Sequence, residues 1–142
     1  MPNENQTWDD VIRGLATDYI LYGSYALQVV MNLDGKTFSF FNIGLDKVRW
    51  GEYDESGNIP YYYISADWSA LGQNPPIQIE ALDLTNNENL EKGVAYLYVY
   101  RTYTPTQIYY TQPSYAAAIQ AIQSEIEFVQ HDLKSAVNNF VP

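Results

Sequence analysis

Seven apolar residues near the C-terminal end, Ile119, Ile122, Ile126, Val129, Leu133, Ala136 and Phe140, are separated by alternating steps of three and four. That spacing puts all seven on one narrow seam of a helix. Pro113 suits the first turn of this helix, where its missing N–H costs little. So regular a seam needs a surface to lie against. The expectation is that it packs on the upstream strands or on another chain, with the far end, Ala136 to Phe140, left facing solvent.

The upstream sequence supplies strands. Tyr25 to Asn32 and Lys36 to Ile43 alternate apolar and polar residues around Asp34-Gly35, a preferred two-residue hairpin turn. The implied register opposes Met31 to Phe38 and Val29 to Phe40, so Leu27, Val29, Met31, Phe38 and Phe40 share a face. Val48 to Tyr53 and Ile59 to Ser65 form a second hairpin around residues 54–58, with Pro60 at a strand start or edge. A short strand near Ile77 to Ala81 and a long one over Val94 to Tyr103 follow. Ahead of all these, Thr7 and Asp10 make a capping box for a helix from about Trp8 to Tyr22, and Gly23 ends it. Gly14 weakens the middle of that helix by roughly 1 kcal/mol relative to Ala. The fold class expected is α+β: antiparallel hairpins or a meander, an N-terminal helix and a long C-terminal helix. Residues 1–142 make one domain, with residues 1–6 flexible.

Composition narrows the chemistry. The net charge is −10, and the seven Lys and Arg are scattered, which argues against binding a phosphate backbone. Cysteine is absent, so there is no disulfide framework and no thiolate nucleophile or metal ligand. The polar N-terminus is no signal peptide, and no apolar run is long enough to span a membrane. Fourteen tyrosines and three tryptophans suit half-buried strands or an interface.

Few residues suggest catalysis or metal binding. His131, the only histidine, lies off the helical seam beside Asp132 and reads as a solvated residue. Asp83, Thr85, Asn87, Asn89 and Glu91 alternate like calcium ligands, but Glu88 stands where such a loop needs glycine. Asp54 and Glu55 fall in a turn, and Glu125 and Glu127 are two apart on a helix, where side chains do not face each other. No catalytic, metal or cofactor-binding residue is assigned, and no cofactor is expected.

Three ordered segments resemble the portal proteins of bacteriophages, the ring-shaped head–tail connectors. One is Asp18-Tyr19-Ile20-Leu21-Tyr22-Gly23-Ser24-Tyr25-Ala26, a helix passing through glycine into a strand. Another is Val48-Arg49-Trp50 followed by Asn58-Ile59-Pro60-Tyr61-Tyr62-Tyr63. The third is Pro113-Ser114-Tyr115-Ala116-Ala117-Ala118-Ile119-Gln120-Ala121-Ile122, continuing through His131 to Asn138-Asn139-Phe140-Val141-Pro142, similar to portal-like proteins of phages that infect anaerobic gut bacteria. The resemblance spans Trp8 to Pro142. Portal proteins are several times longer, so it implies a segment of a longer or truncated protein. It also implies a structural, non-enzymatic ring subunit. Its partners would be neighbouring subunits, the capsid, the packaging motor and the DNA in the channel, at the portal vertex of the virion or in the host cytoplasm during assembly. The segment alone is expected to be a monomer or weak oligomer, because chains of charge −10 repel one another.

Two further readings come from the residues. The Tyr and Trp content on a β-rich body fits a non-catalytic carbohydrate-binding module, since sugar stacking needs no basic groove. A hydrolase would require two carboxylates about 5–9 Å apart in a pocket.

Overall fold

The computed structural model describes residues 1–86, 88, 90–105 and 110–140, without the Phe140 side chain. Its elements are helix α1 (Trp8–Tyr22), strands β1 (Ser24–Met31), β2 (Phe38–Ile43), β3 (Val48–Trp50), β4 (Tyr61–Ile64), β5 (Ile77–Ala81) and β6 (Ala95–Arg101), and helix α2 (Ile119–Phe140). Short 3₁₀ turns at Leu45–Lys47 and Ser114–Ala118 precede β3 and α2. The α+β class is as expected.

The capping box at the start of α1 is formed. The Asp10 N–H donates to Thr7 Oγ1 at 3.3 Å, and the Thr7 N–H donates to the Asp10 carboxylate at 2.9 Å. The Thr7 N–H, together with the Thr7 hydroxyl that donates to Asp10 Oδ2 at 2.8 Å, holds the Asp10 carboxyl below its usual range. Gly23 ends the helix at φ 74°, its N–H donating to Tyr19 O at 2.8 Å. Glycine is required there twice over, because a Cβ would also lie 2.3 Å from Gln112 O.

All six strands join one sheet in the order β2-β1-β6-β5-β4-β3. The first hairpin has the expected register, Met31 opposite Phe38 and Val29 opposite Phe40. Its turn is wider than two residues. Gly35 N–H bonds Asn32 O, and Asn32 N–H bonds Thr37 O. Asp34 Oδ1 accepts from the Lys36 and Thr37 N–H groups, holding the wider loop open. The second hairpin pairs Val48 with Ile64 and Trp50 with Tyr62, and Pro60 sits just before β4. Among these strand pairs β5 and β6 alone run parallel, because residues 82–94 carry the chain back before β6 begins.

The register sorts side chains to two faces. On one lie Val29, Phe40, Tyr98 and Tyr100; on the other lie Ala26, Ile43, Leu97, Val99, Ile79, Tyr62, Val48 and Trp50. The main core is built from the second set, through Ala26, Val48, Trp50, Tyr62, Ile79 and Leu97, together with Ile59 from the segment before β4. It unites β1 with β3, although β6, β5 and β4 lie between them. The sheet must therefore curl, with this face on the inside. Each large side chain so buried contributes about 1.5–3 kcal/mol.

Helix α1 covers the opposite face at β1, β2 and β6. Trp8 meets Phe40 with ring centroids 5.3 Å apart, Tyr19 meets Tyr100 at 6.1 Å, and Val11 is fully buried. This corrects the expectation for α2. The face offered by Leu27, Val29, Met31, Phe38 and Phe40 is occupied by α1, so α2 does not pack on it. Within the first six residues, Pro2 and Asn3 are anchored on β2. Pro2 O accepts from Phe40 N–H at 2.8 Å and Asn3 Nδ2 donates to Phe40 O at 2.7 Å. Pro2 and Asn3 are buried, and they cover the outer edge of β2 that would otherwise stand open.

Gly14 makes sense in this packing. A Cβ there would lie 1.9 Å from Asn42 Nδ2 on β2. Removing this glycine gains about 1 kcal/mol of helix propensity, against about 1–3 kcal/mol for overpacking. Gly14→Ala should accordingly lower stability, by about 1 kcal/mol in urea unfolding. A variant more stable than the parent would show that α1 is not seated against Asn42.

Candidate interaction surfaces

The segment before α2 is tied to the body. Thr111 Oγ1 donates to Tyr22 O at 2.8 Å and lies 2.9 Å from Ser24 Oγ. Tyr115 Oη donates to Leu21 O at 3.2 Å. Tyr110 stacks on Trp50 with centroids 4.7 Å apart. On Trp50 and Tyr53 also rests the Arg101 guanidinium, 5.1 and 5.7 Å from the two ring centroids. Its Nη1 donates to Tyr53 Oη at 3.0 Å. This cation–π column joins β6, β3 and the approach to α2 at the open end of the curled sheet.

Beyond these anchors α2 leaves the body. Every described side chain from Ile119 to Asn139 is exposed. Along the seam the exposure runs from 41% at Ile119 to 61% at Leu133. The predicted solvent-facing end at Ala136 is exposed, but so is the rest of the seam; the Phe140 side chain lies outside the described residues. Phe128 and Val137, off the seam, are exposed too. A helix of this length with no packed face is marginal in water, and its exposed apolar seam is a candidate docking surface.

A second surface is aromatic. Helix α1 covers only part of its face of the sheet, and on β4 Tyr61 and Tyr63 stay exposed. They line a cleft of about 480 Å³ with Trp50, Gly51, Glu52 and Pro60. The central residue of that run, Tyr62, points the other way into the core, and burial raises its phenol pKa.

A third cleft, of about 540 Å³, opens on the curled face beside the C-terminal half of β6. Asp54, Glu80, Asp83 and Arg101 are its charged lining.

The residues singled out for catalysis or metal binding are not brought together. His131 is exposed on α2, its Nδ1 3.8 Å from Asp132. The Asp83 carboxylate is held below its usual range by the Thr85 hydroxyl and N–H, at 2.6 and 2.8 Å, a closed local turn. Asn87 and Asn89 lie outside the described residues, and so does Tyr109. Among the described residues no group of three or more His, Cys, Asp or Glu is placed to hold a metal ion. Asp54 turns inward on its loop, accepting from the Ser56 and Asn58 N–H groups. Glu125 and Glu127 are exposed on α2. No helix among the described residues is long and apolar enough to cross a membrane.

The Arg101 column was not anticipated from the sequence. An arginine closing a strand of alternating tyrosines was its available sign, because such a side chain flattens on neighbouring rings.

Compared with known proteins, the chain matches no family model, no curated protein and no solved structure.

Proposed function

We propose that this chain is a structural, non-catalytic segment of a phage portal-like head–tail connector, contributing to the ring through which the genome is packaged and ejected. The observation that carries the reading is the state of α2. The body buries its own core and covers one sheet edge with its N-terminal residues, yet presents a long amphipathic helix whose described seam residues, Ile119 to Ala136, are all exposed. Subunits of a closed ring need lateral surfaces of this kind. The resemblance of the three segments supports the same reading. Asp18 to Ala26 runs from the last turns of α1 through the Gly23 cap into β1. The anchor Tyr115 and the start of α2 belong to the third segment. An acidic chain with scattered basic residues suits a channel that passes DNA without gripping its phosphates. In this reading neighbouring subunits, the capsid and the packaging motor are the partners, and the chain resides at the portal vertex. Alone, its self-repulsion keeps it a monomer or weak oligomer.

Location in the particle tests this. An epitope-tagged chain expressed during phage production should be labelled at a single vertex of purified capsids. Label spread over the capsid surface, or absent from particles, overturns it.

One observation favours the carbohydrate-binding alternative: Tyr61 and Tyr63, two apart on β4, present exposed rings beside the cleft at Gly51 and Glu52. Rings spaced like this can stack on successive sugars of a chain. A glycan array should then give signals that fall at least about tenfold in affinity, about 1.4 kcal/mol, in the Tyr61→Ala/Tyr63→Ala variant. A blank array ends this reading.

A further inference from the structure

Among the described residues, strand β6 has an edge with no strand beside it past Leu97. The Thr102 N–H donates to Gly23 O at 3.3 Å, in line with the register that opposes Tyr100 to Tyr25 and Tyr98 to Leu27. The main-chain groups of Tyr96, Tyr98 and Tyr100 therefore point toward β1, and those of Leu97, Val99 and Arg101 point away from it. On that far side Leu97 O accepts from Leu82 N–H at 2.9 Å, and the pairing with β5 ends at Ala81 opposite Leu97. Among the described residues, no main-chain bond on this side follows. The Val99 and Arg101 N–H and C=O groups thus face the 540 Å³ cleft rather than a strand.

The cleft also has a chemistry. Asp54, Glu80 and Asp83 are the acidic residues of its lining, with the Asp54 and Asp83 carboxylates also accepting bonds within their own turns. The one guanidinium, of Arg101, is already stacked between Trp50 and Tyr53 and bonded to the Tyr53 hydroxyl. Pro60 and Val99 give apolar wall. The volume lies in the range of sites that enclose a small ligand. Beside an open strand edge, the ligand that satisfies the exposed groups is another extended main chain, and an acidic lining selects basic side chains on it.

We propose that this slot binds an extended peptide segment of about three to four residues, at about 3.3 Å each, by strand addition to Val99 and Arg101, and that it prefers peptides with basic residues. This does not depend on the portal reading, and it holds equally for a body that serves another assembly.

The test uses the full chain and three capped pentapeptides: alternating valine and lysine, alternating valine and glutamate, and the valine–lysine peptide with its valine nitrogens methylated. Backbone amide NMR is recorded through each titration. The valine–lysine peptide should shift the Val99 and Arg101 amide signals and slow their hydrogen exchange by at least about tenfold at saturation. The glutamate peptide and the methylated peptide should each bind at least about tenfold more weakly, the first through charge and the second through lost main-chain donors. Glu80→Gln/Asp83→Asn should weaken the lysine peptide while leaving the amide spectrum of β1 unchanged. The proposal is overturned if Val99 and Arg101 amides are already protected in the free chain, or if they do not respond to millimolar lysine peptide. It is equally overturned if the methylated peptide binds as tightly as its parent.

Discussion

The curl of the sheet is the constraint on which the other features depend. Ala26 on β1 and Trp50 on β3 belong to one core, although three strands separate them. Leu97, at the centre of β6, is fully buried between these two halves. Once this face is turned inward, the opposite face is the outer one, and α1 is the element that covers it. The alternation of β1 makes this division possible. Ala26 is small enough for close approach inside, while Val29 stands under the helix outside. The same curl opens the cleft next to β6, because β5 departs at Ala81 as the chain moves to the inner side.

From this follows the isolation of α2. A sheet with one face rolled on itself and the other occupied by α1 over β1, β2 and β6 leaves α2 no place on the hairpin face it was expected to cover. The chain nevertheless spends several side chains on fixing where α2 starts. Thr111, Tyr110 and Tyr115 each hold the approach to the first turns, and Gln112 lies so close to Gly23 that only glycine fits. The direction of α2 is thus set at its root, while its far turns meet only solvent. A rigid root with an exposed apolar seam is the arrangement expected of an element that docks on another molecule.

Local signals in the sequence were legible where they were short in range. The capping box at Thr7 and Asp10 and the Gly23 stop gave α1 its limits. Alternation fixed the register of the first hairpin, since a slip of one residue would have turned Val29 and Phe40 to the wrong face. Long-range choices were less legible. Two helices had apolar stripes and one sheet face was on offer, and spacing alone could not say which helix would take it. Helix α1 wins because Gly23 delivers it directly onto β1 and Gly14 lets it approach Asn42, neither of which is visible as a preference in the stripe itself. The parallel pairing of β5 with β6 depends on how the chain returns between Ala81 and Ala95, a stretch without apolar periodicity. The tyrosines likewise divided by position: Tyr62 went to the core and Tyr61 and Tyr63 to the surface, as alternation requires, but only the observed pairing decides which parity is buried.

Hydrogen exchange of the α2 amides tests the central claim, that the body folds without packing this helix. In dilute, monomeric protein, amides from Gln123 to Lys134 should exchange within about tenfold of unstructured rates, while those of Ala26 and Leu97 exchange only through global unfolding. Amides in α2 protected as strongly as Leu97 in the monomer would contradict the account, because the helix would then be packed on the body after all.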